Sequence, residues 1–181
     1  MYTTLAALLV WYINALPAQL FAEDYATVLL DKNDELLGAK IAKDGQWRFP
    51  ESDSIPKKFE TCILQFEDRN FYHHFGISVK GICRAAWQNI RHQQIKSGAS
   101  TITMQTIRLM RKNPPRTFKE KIYEMLLASR LECRYSKKEI LNLYASHAPF
   151  GNNVVGLESA SWRYFGRSSY RLSWAESATL A

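Results

Sequence analysis

Three Ser/Thr-x-x-Glu patterns constrain this chain more than anything else in it: Thr117 with Glu120, Ser136 with Glu139 and Ser173 with Glu176. In each, the hydroxyl can accept an N–H from the first helical turn while the carboxylate reaches back to the cap residue's own N–H. Each pattern therefore heads a helix. Other starts precede them. Ser54 and Pro56 open a helix with Phe59, Cys62, Ile63 and Phe66 at helical spacing. Ser78 opens another with Val79, Ile82, Cys83, Ala86 and Ile90 on one face. Ser100 opens one that must end before Pro114 and Pro115. Asn153 caps one that stops at Gly166. The result is six or seven short helices with no internal repeat. Before them, residues 25–49 read as a small β unit: strands in YATVLL, LLGAKIA and QWRF, with turns at DKNDE and at Asp44-Gly45.

The chain has 181 residues, 46% hydrophobic and 13% aromatic, enough for one domain with a real core and too apolar for wholesale disorder. Its 6 Pro and 8 Gly exclude collagen-like and low-complexity classes. The 3 Cys (Cys62, Cys83, Cys133) have no CxxC spacing and fall on apolar helical positions, so they read as buried structural thiols.

The formal net charge is +7, and it is unevenly placed. Arg69 to Lys138 holds 15 basic and 3 acidic residues; the rest holds 9 basic and 14 acidic. Such a central positive field calls for an anionic partner: nucleic acid, anionic lipid or a phosphorylated substrate. By contrast, Met1 to Ala22 carries no charge, and Leu5 to Ile13 is an unbroken apolar run. A continuous helix over 1–22 would span about 33 Å, enough for a bilayer core. Asn14, Pro17 and Gln19 weaken its second half, and no basic n-region precedes it. A membrane anchor is the favoured reading, with a cleaved signal or a buried helix as the alternatives.

Three segments can carry chemistry. In FEDRNFYHHFG, Glu67 and Asp68 end an apolar helix and enter a loop with Phe71, Tyr72, His73, His74 and Gly76. A carboxylate at such a helix end can be desolvated into a useful base. Adjacent side chains such as His73 and His74 rarely converge on one ion, so a metal there is the lesser reading. GASTITMQ follows the basic loop RHQQIKS and supplies Ser100, Thr101 and free helix N-terminal amides, with Gln105, Arg108, Arg111, Lys112 and Arg116 beyond. That is an anion-binding layout without the GK[ST] of a P-loop. RTFKEKIYEMLLASRLE reads as an amphipathic helix with Ile122, Met125, Leu126 and Cys133 inward, and with Lys121 and Glu124 three apart on one face. Glu67 and Glu124 thus bracket a cationic, hydroxyl-bearing stretch, a layout suited to sugar transfer from an anionic leaving group. Spacing alone does not establish that the two carboxylates face one cleft.

These segments resemble, in order, the motifs of the peptidoglycan glycosyltransferase module of class A penicillin-binding proteins and monofunctional transglycosylases. EDRNFYHHFG is similar to EDxxFxxHxG, GASTITMQ to GxSTITxQ, RTFKEKIYE to RTxxRKxxE, and SKKEILNLYASHAPFG to SKxEILxxYLN; SASWRYFGR with LSWAESATLA is similar to the last motif. DGQWRFP, TMQ and APFG look most like the 1C type. The resemblance covers residues from about 25 to the end.

It implies a mostly α, lysozyme-like domain with a short N-terminal β segment, a membrane-facing jaw and an N-terminal membrane helix. The expected layout is an anchor over 1–22, a β-rich connector over 23–50 and the glycosyltransferase domain over 51–181, truncated at its C-terminus. The implied reaction polymerises lipid II into glycan strands, with undecaprenyl diphosphate leaving. Glu67 would be the general base on the acceptor's 4-hydroxyl, inverting the donor's anomeric carbon. Glu124 would serve the diphosphate side, directly or through a water or a divalent cation (magnesium or manganese). Ser100, Thr101 and Gln105 would line the donor site, with Arg108, Arg116 and Lys121 near the diphosphate. Asp68, Phe71 and His74 would complete the substrate-binding set. The implied location is the outer face of a bacterial cytoplasmic membrane. The implied partners are lipid II, the growing glycan and other cell-wall synthesis proteins, with no nucleic acid.

Glu120 stands where the family usually has Arg, and Ser146 where it usually has Asn. These departures keep a second hypothesis in view, a non-catalytic remnant that holds lipid II or glycan. A basic helical nucleic-acid binder fits the uncharged N-terminus and the two glutamates poorly. A lysozyme-like hydrolase would also use two carboxylates, but the basic centre favours transfer.

Overall fold

The computed structural model describes residues 2–92, 94 and 98–181. Along the chain run α1 (Tyr2–Ile13), β1 (Thr27–Leu30), β2 (Leu36–Lys40), β3 (Trp47–Arg48), α2 (Lys57–Glu67) and a 3-10 turn (Phe71–His73). There follow α3 (Val79–His92), α4 (Ile102–Met110), α5 (Phe118–Arg134), α6 (Lys137–His147), β4 (Val154–Val155), α7 (Leu157–Phe165), a second 3-10 turn (Ser169–Arg171) and α8 (Trp174–Leu180). The architecture is mostly helical. The chain forms two compact units, one from Met1–Phe21 with Asn70–Lys137, the other from Ala22–Arg69 with Lys138–Ala181.

In the first unit α4 packs along α5. Thr101, not Ser100, caps α4: its Oγ1 accepts the Met104 N–H at 3.1 Å and donates to the Gly76 carbonyl at 2.6 Å. Past Arg111 the chain turns through Lys112 and Asn113, both at positive φ, before Pro114. Thr117 caps α5 by accepting the Glu120 N–H. The inward stripe of α5 is Glu124, Leu127, Ala128 and Leu131, all buried. This corrects the expected face: Ile122, Leu126 and Cys133 are exposed. On α3 the apolar face does exist, but it points outward. Val79 and Ile90 are 69% and 76% exposed, and Ala85 is buried instead.

The continuous helix expected over 1–22 does not form. α1 has 12 residues, about 18 Å of rise. Among the described residues no helix is long and apolar enough to cross a membrane; Met1 lies outside them. The causes are local. Asn14 turns its amide back on the Val10 carbonyl (2.8 Å), and Pro17 cannot extend the helix. Arg130 then donates twice to the Ile13 carbonyl (3.2 and 3.0 Å), where it also suits the negative end of the α1 dipole. Arg134 donates to the carbonyls of Pro17 and Ala18 (2.6 and 2.5 Å). Leu16, Leu20 and Phe21 are buried.

In the second unit β1 and β2 form an antiparallel hairpin, with Val28 opposite Ala39 and an irregularity after Leu29. β3 does not continue that sheet; it pairs in parallel with β4, Trp47 opposite Val154. Asn153 serves this junction rather than a helix start, donating to the Gly45 carbonyl at 2.9 Å. Gly156 is the cap of α7, and Gly166 ends it in the left-handed region. Ser173 and Glu176 form the complete reciprocal capping box of α8, which packs on α2. The core gathers Phe59 and Ile63 of α2 with Ile140, Leu141, Ala160 and Leu172. Phe66, expected on the same face of α2, is 77% exposed. The cysteines are not buried thiols: Cys83 and Cys133 are exposed and Cys62 is half-buried, because apolar periodicity does not say which face meets the core.

Candidate active site

The first unit holds a buried carboxylate paired with two cations. Glu124 is only 4% exposed because it stands on the inward stripe of α5. Its Oε1 is 4.0 Å from Arg108 Nη1 of α4, and its Oε2 is 3.5 Å from Lys121 Nζ one turn earlier. Lys121 Nζ also donates to Ser100 Oγ. Moving the α4 cap to Thr101 leaves the Ser100 hydroxyl available for this bond. Arg108 is steadied by donating to the Pro114 carbonyl at 3.1 Å. Burial holds Lys121 below its ordinary pKa of 10.5; Glu124 works against this, while Arg108 and Arg116 add to it. Two cations therefore face one carboxylate, and Arg116 adds its charge at Lys121, a surplus of positive charge suited to an anion. Gln105 is half-buried on α4, three residues before Arg108 and so on the same face.

Glu120 stands one turn before Glu124 on α5. Its carboxylate pairs with Arg111, whose guanidinium also stacks 4.5 Å over the Tyr123 ring. Glu120 therefore neutralises Arg111.

Other expected residues are placed differently. Thr101 is buried, with its hydroxyl engaged by Gly76 and Met104. Phe71 is 1% exposed and sits under Lys137 Nζ at 4.4 Å, so it is core. His74 packs edge-on against Phe71, and neighbouring His73 is exposed. Among the described residues no three His, Cys, Asp or Glu side chains gather. A carboxylate already paired with Arg108 and Lys121 does not fit a divalent ion held by protein alone. Of the basic loop 91–97, residues 93 and 95–97 lie outside the described residues.

In the second unit Glu67 is the last residue of α2 and is half-buried, and Asp68, its C-cap, is buried. The neighbour that sequence reasoning left without a role is Tyr144 of α6. Burial raises its phenol pKa, and the charge of Glu67 raises it further. A second missed cluster joins Glu51 to His147, at 3.4 Å, and to the Tyr25 hydroxyl, which donates at 2.9 Å. Burial and Glu51 push the Tyr25 phenol up to about 12. In the first unit the missed group is Glu132, which accepts from Thr103 (2.6 Å) and Lys137 (2.7 Å). None of these partners shares a local motif with the others, so no spacing signals them.

The transglycosylase family profile matches residues 34–181, and the chain belongs to that family. Its similarity runs to penicillin-binding protein 1C of Escherichia coli K12, at 37% identity over 91% of this chain and 21% of that protein. Penicillin-binding proteins 1A of Aquifex aeolicus and Pseudomonas aeruginosa are each 41% identical, over 71% and 70% of this chain and 18% and 16% of their own lengths. The chain thus spans about a fifth of the length of these relatives.

Proposed function

We propose that this chain is a peptidoglycan glycosyltransferase module that polymerises lipid II. The observation that carries the reading is the buried Glu124 within reach of Arg108 and Lys121, with Ser100 and Arg116 beside Lys121. In the proposed reaction Glu67 takes the proton of the acceptor's 4-hydroxyl. The freed oxygen attacks the donor's anomeric carbon from the face opposite the leaving group, which inverts that centre. The bond from that carbon to the diphosphate oxygen breaks, and undecaprenyl diphosphate departs. Arg108, Arg116 and Lys121 receive the charge that develops on it. Glu124 keeps those cations converged and charged. Thr101 takes no direct part; it fixes the start of α4 so that Ser100 and Arg108 are held in place.

A lipid-linked substrate also accounts for the exposed apolar side chains of α1 and α3, Leu5, Leu8, Val79 and Ile90 among them. On this reading they meet the bilayer, on the outer face of the cytoplasmic membrane, at the level of the diphosphate.

The test is incubation of the detergent-held chain with lipid II and analysis of the products by chain length. Glu67→Gln is expected to bind lipid II yet to lose about 10²-fold or more of its polymerising rate, as for removal of a general base. Polymer at the unmodified rate would remove Glu67 from that role. Binding without polymer by the unmodified chain would define a lipid II-holding module instead.

A further inference from the structure

The second unit contains a trough of ≈ 590 Å³ that none of the residues assigned to glycosyl transfer lines. The β1–β2 hairpin forms one wall, α7 and the second 3-10 turn form the other, and Phe49 and Pro50 contribute to it as well. Its rings are fixed by their polar ends. Trp162 donates its indole N–H to Glu158 Oε1 at 2.9 Å, and the other oxygen of Glu158 accepts the Ser169 N–H at 3.1 Å. The Tyr170 hydroxyl is within 2.6 Å of Ser54 Oγ and donates to the Ser54 carbonyl at 2.9 Å, yet the residue is 54% exposed. Trp162 and Phe49 also line an adjoining pocket of ≈ 220 Å³. At the rim Arg171 pairs with Glu35 across the two walls.

We infer that this trough is a binding site for a neutral N-acetylhexosamine oligosaccharide, held by stacking on Trp162 and Tyr170 and distinct from the diphosphate-receiving cations of the first unit. Size, lining and charge each support that ligand class. The volume falls in the range of small-ligand clefts and suits two or three pyranose rings. Rings locked by hydrogen bonds at their polar edges offer apolar faces to the C–H faces of sugars at little entropic cost. The lining carries Asp34, Glu35 and Glu158 against Arg171, an acidic balance that repels a phosphate and leaves a neutral sugar unopposed. The proposal deepens the transferase reading, since a glycan of acetylated hexosamines is its product, but it is tested without turnover.

The experiment titrates the full chain in detergent with an N-acetylglucosamine tetramer and follows tryptophan fluorescence and binding heat. Saturable binding is expected, weakened at least tenfold by Trp162→Ala and by Tyr170→Ala. Tyr170→Phe, which keeps the ring but frees its polar end, should lose less affinity than Tyr170→Ala, and Glu67→Gln should bind as the unmodified chain does. A polygalacturonate tetramer, anionic at every ring, should not bind. Absence of saturable binding overturns the site. So does binding that survives both ring removals, or binding that the anionic oligomer matches. Tyr170 lies on the surface, so its variant remains folded and decisive even if Trp162→Ala does not fold. Should Glu67→Gln polymerise normally while the tetramer still binds at Trp162, the transfer mechanism fails and the trough stands.

Discussion

A methyl group added at Gly76 would lie 2.9 Å from the Ala128 carbonyl oxygen and 3.0 Å from its carbon, at a φ of +74° that side chains rarely adopt. Both obstacles are backbone, so neither can rotate away. Gly76→Ala should therefore cost about 2–3 kcal/mol, read as a lowered urea midpoint. Gly166 has a similar φ of +64° but open space around it, so Gly166→Ala should cost only about 1 kcal/mol. Equal losses would show that close approach to α5 is not what Gly76 supplies. Lys121 makes a second prediction, on pH. Its pKa lies below 10.5 because burial disfavours its charge. As pH rises towards 10.5 the folded chain loses this proton before the unfolded chain does, so the Lys121 contribution to stability rises with pH across that window. Affinity for the diphosphate donor should move the opposite way, because one of its cations is lost. Lys121→Arg keeps its charge over the same window and should abolish the early loss of lipid II affinity, measured by equilibrium binding. If wild type and Lys121→Arg lose affinity in parallel, Lys121 is not a diphosphate contact.

At the scale of elements, α5 shows why helix presence was legible and helix orientation was not. Thr117, as a cap, announced where the helix begins, because a hydroxyl satisfying an N-terminal N–H is a local event. Which stripe turns inward depends on α4 packing alongside, a partner distant in sequence. Hydrophobicity pointed to Ile122 and Leu126; the fold buries Glu124 with Leu127, Ala128 and Leu131. The misread face is the one that carries the candidate site, so the burial of Glu124 had to come from structure. Leu131→Ala should then cost about 2–5 kcal/mol and Leu126→Ala under about 1 kcal/mol, measured by chemical denaturation. Comparable costs at both positions would restore the hydrophobic stripe first expected. The same logic covers β3. Its strand-forming residues were legible, but its parallel partner, two residues of β4 more than a hundred positions away, left no local trace.

At the scale of the whole molecule, charge separates by unit. The unit built on α3, α4 and α5 holds 13 basic and 3 acidic residues, and the unit built on α2, α6 and α7 holds 11 and 14. The sequence revealed a basic centre because most of that unit is one continuous stretch, 70–137. It could not reveal the acidic trough, whose walls come from residues 28–52 and 158–171. The separation has a measurable consequence. A diphosphate attracted by surplus cations loses affinity as salt shortens the screening length from about 10 Å at 0.1 M towards about 3 Å at 1 M. A neutral oligosaccharide stacked on rings feels no such screening. Raising salt across that range should weaken lipid II binding by roughly an order of magnitude. Over the same range the N-acetylglucosamine tetramer should bind with unchanged affinity. Arg116→Ala should flatten the lipid II response, having removed one of the screened charges, and leave the tetramer untouched. A tetramer affinity that falls in step with lipid II would place both ligands in one electrostatic field, and the two-site assignment would then fail whatever either affinity was at low salt.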